Sequence, residues 1–246
     1  MSVSLSQRHD EERAHGRLIH NDPECVWGQS TKAGRMRMER RAGLVIDACR
    51  LRPGMRVLEL GCGSGNYTDL YVKSGADIVA IDLSPELLAI AKKRLPHVRF
   101  EIADAETLDG ISDNSIDCVI GNAVLHHFDV PLALKAMLRV LRPGGTICFT
   151  EPNMLNPQIA LQKNIRLLKR MLGDSPHETA FFRWSIVRLL RQIGFIEARA
   201  VPIDFLHPWM PGFLAVPMEG LSYALEKIPG VREIAGSLLI SARRDM

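Results

Sequence analysis

The stretch Val57-Leu58-Glu59-Leu60-Gly61-Cys62-Gly63-Ser64-Gly65-Asn66-Tyr67-Thr68 constrains this chain more than any other. An apolar run meets an acidic residue, then three glycines at alternate positions, then a helix start. Glycine has no Cβ, so alternating glycines mark a sharp turn that a ligand can press against. A strand, such a turn and a helix in succession describe the strand-end crevice of an open α/β sheet, where amides and a helix N-terminus face a ligand. The dinucleotide fingerprint spaces its glycines G-x-G-x-x-G and seats a pyrophosphate. Here the spacing is Gly61-x-Gly63-x-Gly65, with Glu59 just before it. A carboxylate there repels a diphosphate and suits a ligand bearing an ammonium group. A tight strand-to-helix turn with no ligand is the plainer alternative.

The segments that follow repeat the strand-then-acid pattern. Ile78-Val79-Ala80-Ile81-Asp82-Leu83-Ser84 reads as a second strand, and its acid lies about 20 residues past the glycine loop, where nucleotide-binding sheets place a ribose-binding carboxylate. Asp82 also suits a helix N-terminus, for which Ser84-Pro85 is a start signal. A third strand, Val98–Ile102, leads to Ala103-Asp104-Ala105. A fourth, Ile116–Ile120, runs to Gly121-Asn122-Ala123-Val124-Leu125-His126-His127-Phe128. A helix ending in Leu138–Arg142 is stopped by Pro143-Gly144, and Thr146–Thr150 is a fifth strand.

This ordered set, from Val57 to about Asn153, resembles the class I S-adenosylmethionine (SAM)-dependent methyltransferases, and among them the group that includes the ubiquinone and menaquinone biosynthesis enzymes. The resemblance implies an α/β, doubly wound, Rossmann-like sheet of seven strands in the order 3-2-1-4-5-7-6, mostly parallel with an antiparallel last strand. It implies SAM as cofactor. Glu59 and the loop of Gly61, Cys62, Gly63 and Gly65 would then hold the methionine part, Asp82 the ribose, and Leu83 with Asp104 and Ala105 the adenine. Asn122 would contribute backbone contact near the methionine end. The flanks carry no such match, so the acceptor does not carry over.

Methyl transfer from a sulfonium is an in-line displacement that needs alignment and a dry site more than a catalytic triad. If the acceptor is a hydroxyl, phenol or acidic carbon, a base must take its proton. His126 and His127, after the fourth strand, are the candidates, with His127 slightly favoured because Asp129 and Pro131 turn the chain just beyond it. The competing reading has these rings packing or capping the next helix. Glu151 and Asn153 are next in line for acceptor contacts. Among Lys32, Arg35, Arg37, Arg40 and Arg41, one cation could reach the methionine carboxylate or an acidic acceptor. No metal-ligand spacing is visible, so no metal is expected.

Residues 1–50 read as an N-terminal cap with a helix over Lys32–Arg50, and 51–246 as the methyltransferase domain. Insertions at about 155–175 and 206–232 are candidates for a substrate lid. The first holds a basic amphipathic stretch, Ile159–Leu172, and the second is rich in Pro, Met and aromatics. A further helix is expected over 178–193, with strands at Phe195–Phe205 and Ser237–Arg243. The net charge of +3 is too small to argue for nucleic acid, and five cysteines without C-x-x-C spacing fit a reducing compartment. With no signal-peptide core in Met1–His20 and no long apolar run, the expectation is a cytoplasmic protein with a small-molecule acceptor and no membrane span, a homodimer remaining open. Two rival readings stand beside this one, a nicotinamide-dependent oxidoreductase and a non-catalytic methyltransferase-like binding protein.

Overall fold

In the computed structural model, which describes residues 5–165 and 179–246, seven strands form one sheet. They are β1 (Arg56–Leu60), β2 (Asp77–Asp82), β3 (Arg99–Ile102), β4 (Ile116–Asn122), β5 (Leu141–Pro152), β6 (Phe195–Ile203) and β7 (Ser237–Arg244). Their order is β3-β2-β1-β4-β5-β7-β6, and β7 runs antiparallel to both neighbours, as the resemblance implies. β1 is central because its apolar residues are buried on both faces: Leu58 and Leu60 belong to one core cluster and Val57 to the other.

The helices are α1 (Leu5–Ile19), α2 (Pro23–Val26), α3 (Lys32–Cys49), α4 (Asn66–Tyr71), α5 (Pro85–Arg94), α6 (Val130–Val140), α7 (Pro157–Asn164), α8 (Arg183–Ile193) and α9 (Gly212–Leu225). α6 buries Ala133, Leu134, Ala136, Met137 and Val140, one helical stripe, and Asp129 caps it by accepting from the Leu132 amide at 3.2 Å. Ser84 caps α5 through the Leu87 amide at 3.2 Å. α3 covers almost the expected span and stops at Arg50, which adopts φ 52°.

Four details differ from the sequence reading. The helix before the fifth strand ends at Val140, and β5 starts at once at Leu141, so Pro143-Gly144 lie inside the strand. The polar N-terminus is helical in α1, whose Gly16 and Ile19 are buried. The helix expected from residue 178 starts at Arg183. Of the basic amphipathic stretch, α7 covers the first part and residues 166–172 lie outside the described residues. Among the described residues no helix is long and apolar enough to cross a membrane.

Candidate functional site

β1, β2 and β4 are parallel neighbours, and the chain leaves them on opposite sides of β1, so a crevice opens at their C-terminal ends. The glycine loop fills the turn out of β1. Gly61, Gly63 and Gly65 all take left-handed φ values, 62°, 54° and 81°. At Gly63 a Cβ would lie 2.8 Å from Cη2 of Trp27, which comes from the N-terminal segment and sits on the loop. Gly65 instead caps α4, and a Cβ there would meet Ala91.

A cavity of about 430 Å³ lies in this crevice, a size suited to a small organic ligand. Of the residues singled out from sequence, Gly61, Cys62, Gly63, Asp82, Leu83, Ala105, Asn122, His126 and His127 line it. Glu59, Gly65 and Asp104 do not. Asp104 turns inward on its own loop, accepting from the Glu106 amide at 2.7 Å, while Ala103 and Ala105 face the cavity. Much of the roof comes from the N-terminal segment: Gly16, Ile19, Val26, Trp27, Gln29, Arg37 and Arg41. Of the two insertions, Lys163 and Pro208 reach the lining.

Asp82 is held by both carboxylate oxygens. The Gly63 amide donates to Oδ2 and the Ser84 amide to Oδ1, each at 2.8 Å. Carboxylate oxygens accept more than one hydrogen bond, so this tethered group can still receive vicinal hydroxyls. Asn122, at the end of β4, bonds the Tyr71 and Thr150 hydroxyls. Burial lifts the Cys62 thiol well above its ordinary range, so it is a small wall residue and no nucleophile.

Glu59 is buried behind the loop, and its Oε2 has no hydrogen-bond partner. Burial first, and Asp82 second, push its carboxyl up to about 8 against an opposing pull from Thr68. In the unfolded chain the group ionises near 4.5, so the folded state keeps an extra proton between those values. Stability therefore falls as pH rises through that window, by at most roughly 1.4 kcal/mol per pH unit. Thermal melts from pH 5 to 9 should show a steeper loss for the wild type than for Glu59→Gln; parallel curves would mean Glu59 is ionised throughout.

His126 and His127 lie against each other with ring centroids 4.2 Å apart. Behind them Glu151, buried at the end of β5, accepts from the Val124 and Leu125 amides at 2.9 Å through Oε1. Its Oε2 lies 2.7 Å from Nδ1 of His126. A carboxylate only accepts, so Nδ1 carries the proton. Glu151 thus acts behind His126 instead of on an acceptor. Asn153 is likewise structural, donating to the Glu233 and Ala235 carbonyls at 2.8 Å.

Comparison with known proteins agrees with this geometry. Residues 58–149 match the methyltransferase domain family. A demethylmenaquinone methyltransferase of Renibacterium salmoninarum is 40% identical over 109 residues, 44% of this chain and 46% of the relative. A trans-aconitate 2-methyltransferase of Methylobacterium nodulans is 38% identical over 127 residues, 49% of this chain and 45% of the relative. The chain thus matches about half the length of these curated relatives. Among solved structures, the [4+2]-cyclase SpnF shares the fold with a TM-score of 0.69 at 20% identity, over 97% of each chain.

Proposed function

We propose that this chain, which belongs to the class I SAM-dependent methyltransferases, transfers a methyl group from SAM to an oxygen, nitrogen or carbon of a small-molecule acceptor. The observation that carries the reading is one cavity bounded by the left-handed glycine loop, the amide-tethered Asp82 and, on the β4 side, the Glu151-backed His126. The relatives named for quinone and trans-aconitate methylation support a small acceptor.

When bound, SAM supplies a methyl group on a positive sulfur, open to in-line displacement. Asp82 would hold the ribose hydroxyls, and Leu83 with Ala105 would hold the adenine. Glu59 stands behind the loop, outside the cavity lining, and would supply negative charge only where a methionine ammonium on the other side of the loop drew off its proton. His126, backed by Glu151, would take the acceptor's proton. The N-terminal roof keeps water from the reacting atoms.

Calorimetry with S-adenosylhomocysteine (SAH) and NAD tests the cofactor. SAH should bind and NAD should not; the reverse result restores the oxidoreductase reading. Asp82→Ala should weaken SAH binding by roughly 2–4 kcal/mol, about 30- to 1000-fold, because it removes a charged acceptor and releases the Gly63 amide. Wild-type affinity in that variant would remove Asp82 from the ribose. One fold neighbour is named a cyclase, so binding alone does not establish transfer. Incorporation of label from methyl-labelled SAM into a panel of metabolites supplies that proof, and a chain that binds SAH but labels none would revive the non-catalytic reading.

A further inference from the structure

We propose that the acceptor carries a carboxylate or phosphate, and that Arg37 and Arg41 receive it. The inference rests on the methyl-transfer reading above and adds the acceptor's chemical class.

α3 brings three guanidiniums against the ends of β6 and β7. Arg40 has its own counter-charge: its two terminal nitrogens donate to Glu226 at 2.8 and 2.6 Å, a bidentate pair, and its Nε is left without a partner among the described residues. Arg37 and Arg41 share a single oxygen, Oδ2 of Asp204, at 2.5 and 3.0 Å through their Nε atoms. Both also reach the Ser237 hydroxyl, which is neutral. Among the described residues, three cations thus face two carboxylates. Burial alone would raise the Asp204 carboxyl, yet Arg37 and Arg41 outweigh it and hold it below its ordinary value.

The surplus charge is costly where it lies. Only 8% of the Arg41 side chain and 22% of the Arg37 side chain is exposed. Guanidinium does not shed its proton at this expense, so the charge calls for an anion. Both residues line the cavity, so an anion arriving with a ligand can reach them.

Position within the sheet sets the pair apart from the ribose site, while Arg41 also meets the Tyr67 hydroxyl on α4, just past the glycine loop. Asp204 follows β6 and Ser237 begins β7, strands beyond β5, whereas the glycine loop and Asp82 stand at β1 and β2. Arg37 also neighbours His207, whose imidazole is held below its ordinary value by burial and then by Arg37. The next residue, Pro208, is fastened to α3 through its carbonyl, which accepts from the Thr31 hydroxyl at 2.5 Å. The surplus cation therefore belongs to the end of the cavity away from the ribose site.

The cofactor's own methionine carboxylate is the other source of the same chemistry, and calorimetry separates the two. The probes are SAH, 5′-methylthioadenosine (which has no amino-acid end), and trans-aconitate or inorganic phosphate added to SAH-saturated protein. Arg37→Met keeps the Asp204–Arg41 pair, so it should fold; Arg37→Lys serves in its place if its melting point collapses. The expected result is SAH affinity within about threefold of wild type, with binding of at least one anion weakened about tenfold or more. SAH weakened tenfold with 5′-methylthioadenosine unchanged would assign the cation to the cofactor and overturn the proposal. So would SAH-saturated wild type that takes neither anion. Failure of SAH to bind wild type at all is a different outcome, and it removes the methyl-transfer reading and this inference together.

Discussion

Replacing His126 with alanine should lower kcat by roughly 10²- to 10⁴-fold while SAH affinity stays within about threefold. The loss follows from the pairing of His126 with a buried carboxylate whose other oxygen is pinned by two backbone amides. Glu151→Gln tests the arrangement without deleting the base. An amide at 151 must keep its oxygen toward the Val124 and Leu125 amides, so its NH₂ faces Nδ1 and places the imidazole in the opposite tautomer, with the proton on Nε2. Turnover should fall by about tenfold or more, and its pH profile should move with it. A merely structural Glu151 would reduce the melting point and leave the pH profile of the surviving activity in place. His127→Ala should cost less, since it leaves the Glu151-paired imidazole of His126 in place. Wild-type turnover in the His126 variant would show that the acceptor needs no base.

The largest effect on folding is expected at Gly61. Its φ of 62° is a left-handed conformation, and a Cβ would run into the Val124 side chain, itself part of the core. Gly61→Ala should destabilise the protein by roughly 2–5 kcal/mol, of which about 1–2 is backbone and about 1–3 is overpacking. Adding Val124→Ala removes the obstructing methyls. The double variant should therefore recover the packing share and leave the backbone share, a separation that denaturant titration can read. Full recovery would mean that the loop relaxes out of the left-handed region.

The sheet was legible because its strands announce themselves locally. Val57–Leu60, Ile78–Asp82 and Ile116–Ile120 are apolar runs that end in acids or glycine, and buried parallel strands need little else. The cap residues Ser84 and Asp129 likewise act within three residues of where they stand. What escaped was either weakly patterned or distant. α1 is a polar helix whose contact with the body runs through Gly16, Ile19 and His9, the last 3.5 Å from Asp104, too few apolar positions to make a period. The role of Glu151 depends on backbone amides 26 and 27 residues away, which strand pairing alone brings close. That Asp104 faces its own loop while Ala105 faces the cavity is a matter of one turn's geometry, and side-chain type does not encode it.

The bonds that hold α3 in place join residues 163 to 196 positions apart: Arg41 to Asp204, Arg40 to Glu226, Arg41 to Ser237. A ribosome releases the first partner of each pair long before the second. The polar bonds of α3 therefore form after its Ala42, Val45 and Cys49 can already share a core with β1, β2 and β4. Long-range closure of this kind is slow, so the sealing of the ligand chamber is expected to come late in folding. A refolding experiment that follows Trp27 fluorescence beside circular dichroism should see secondary structure return first and the tryptophan signal lag behind it.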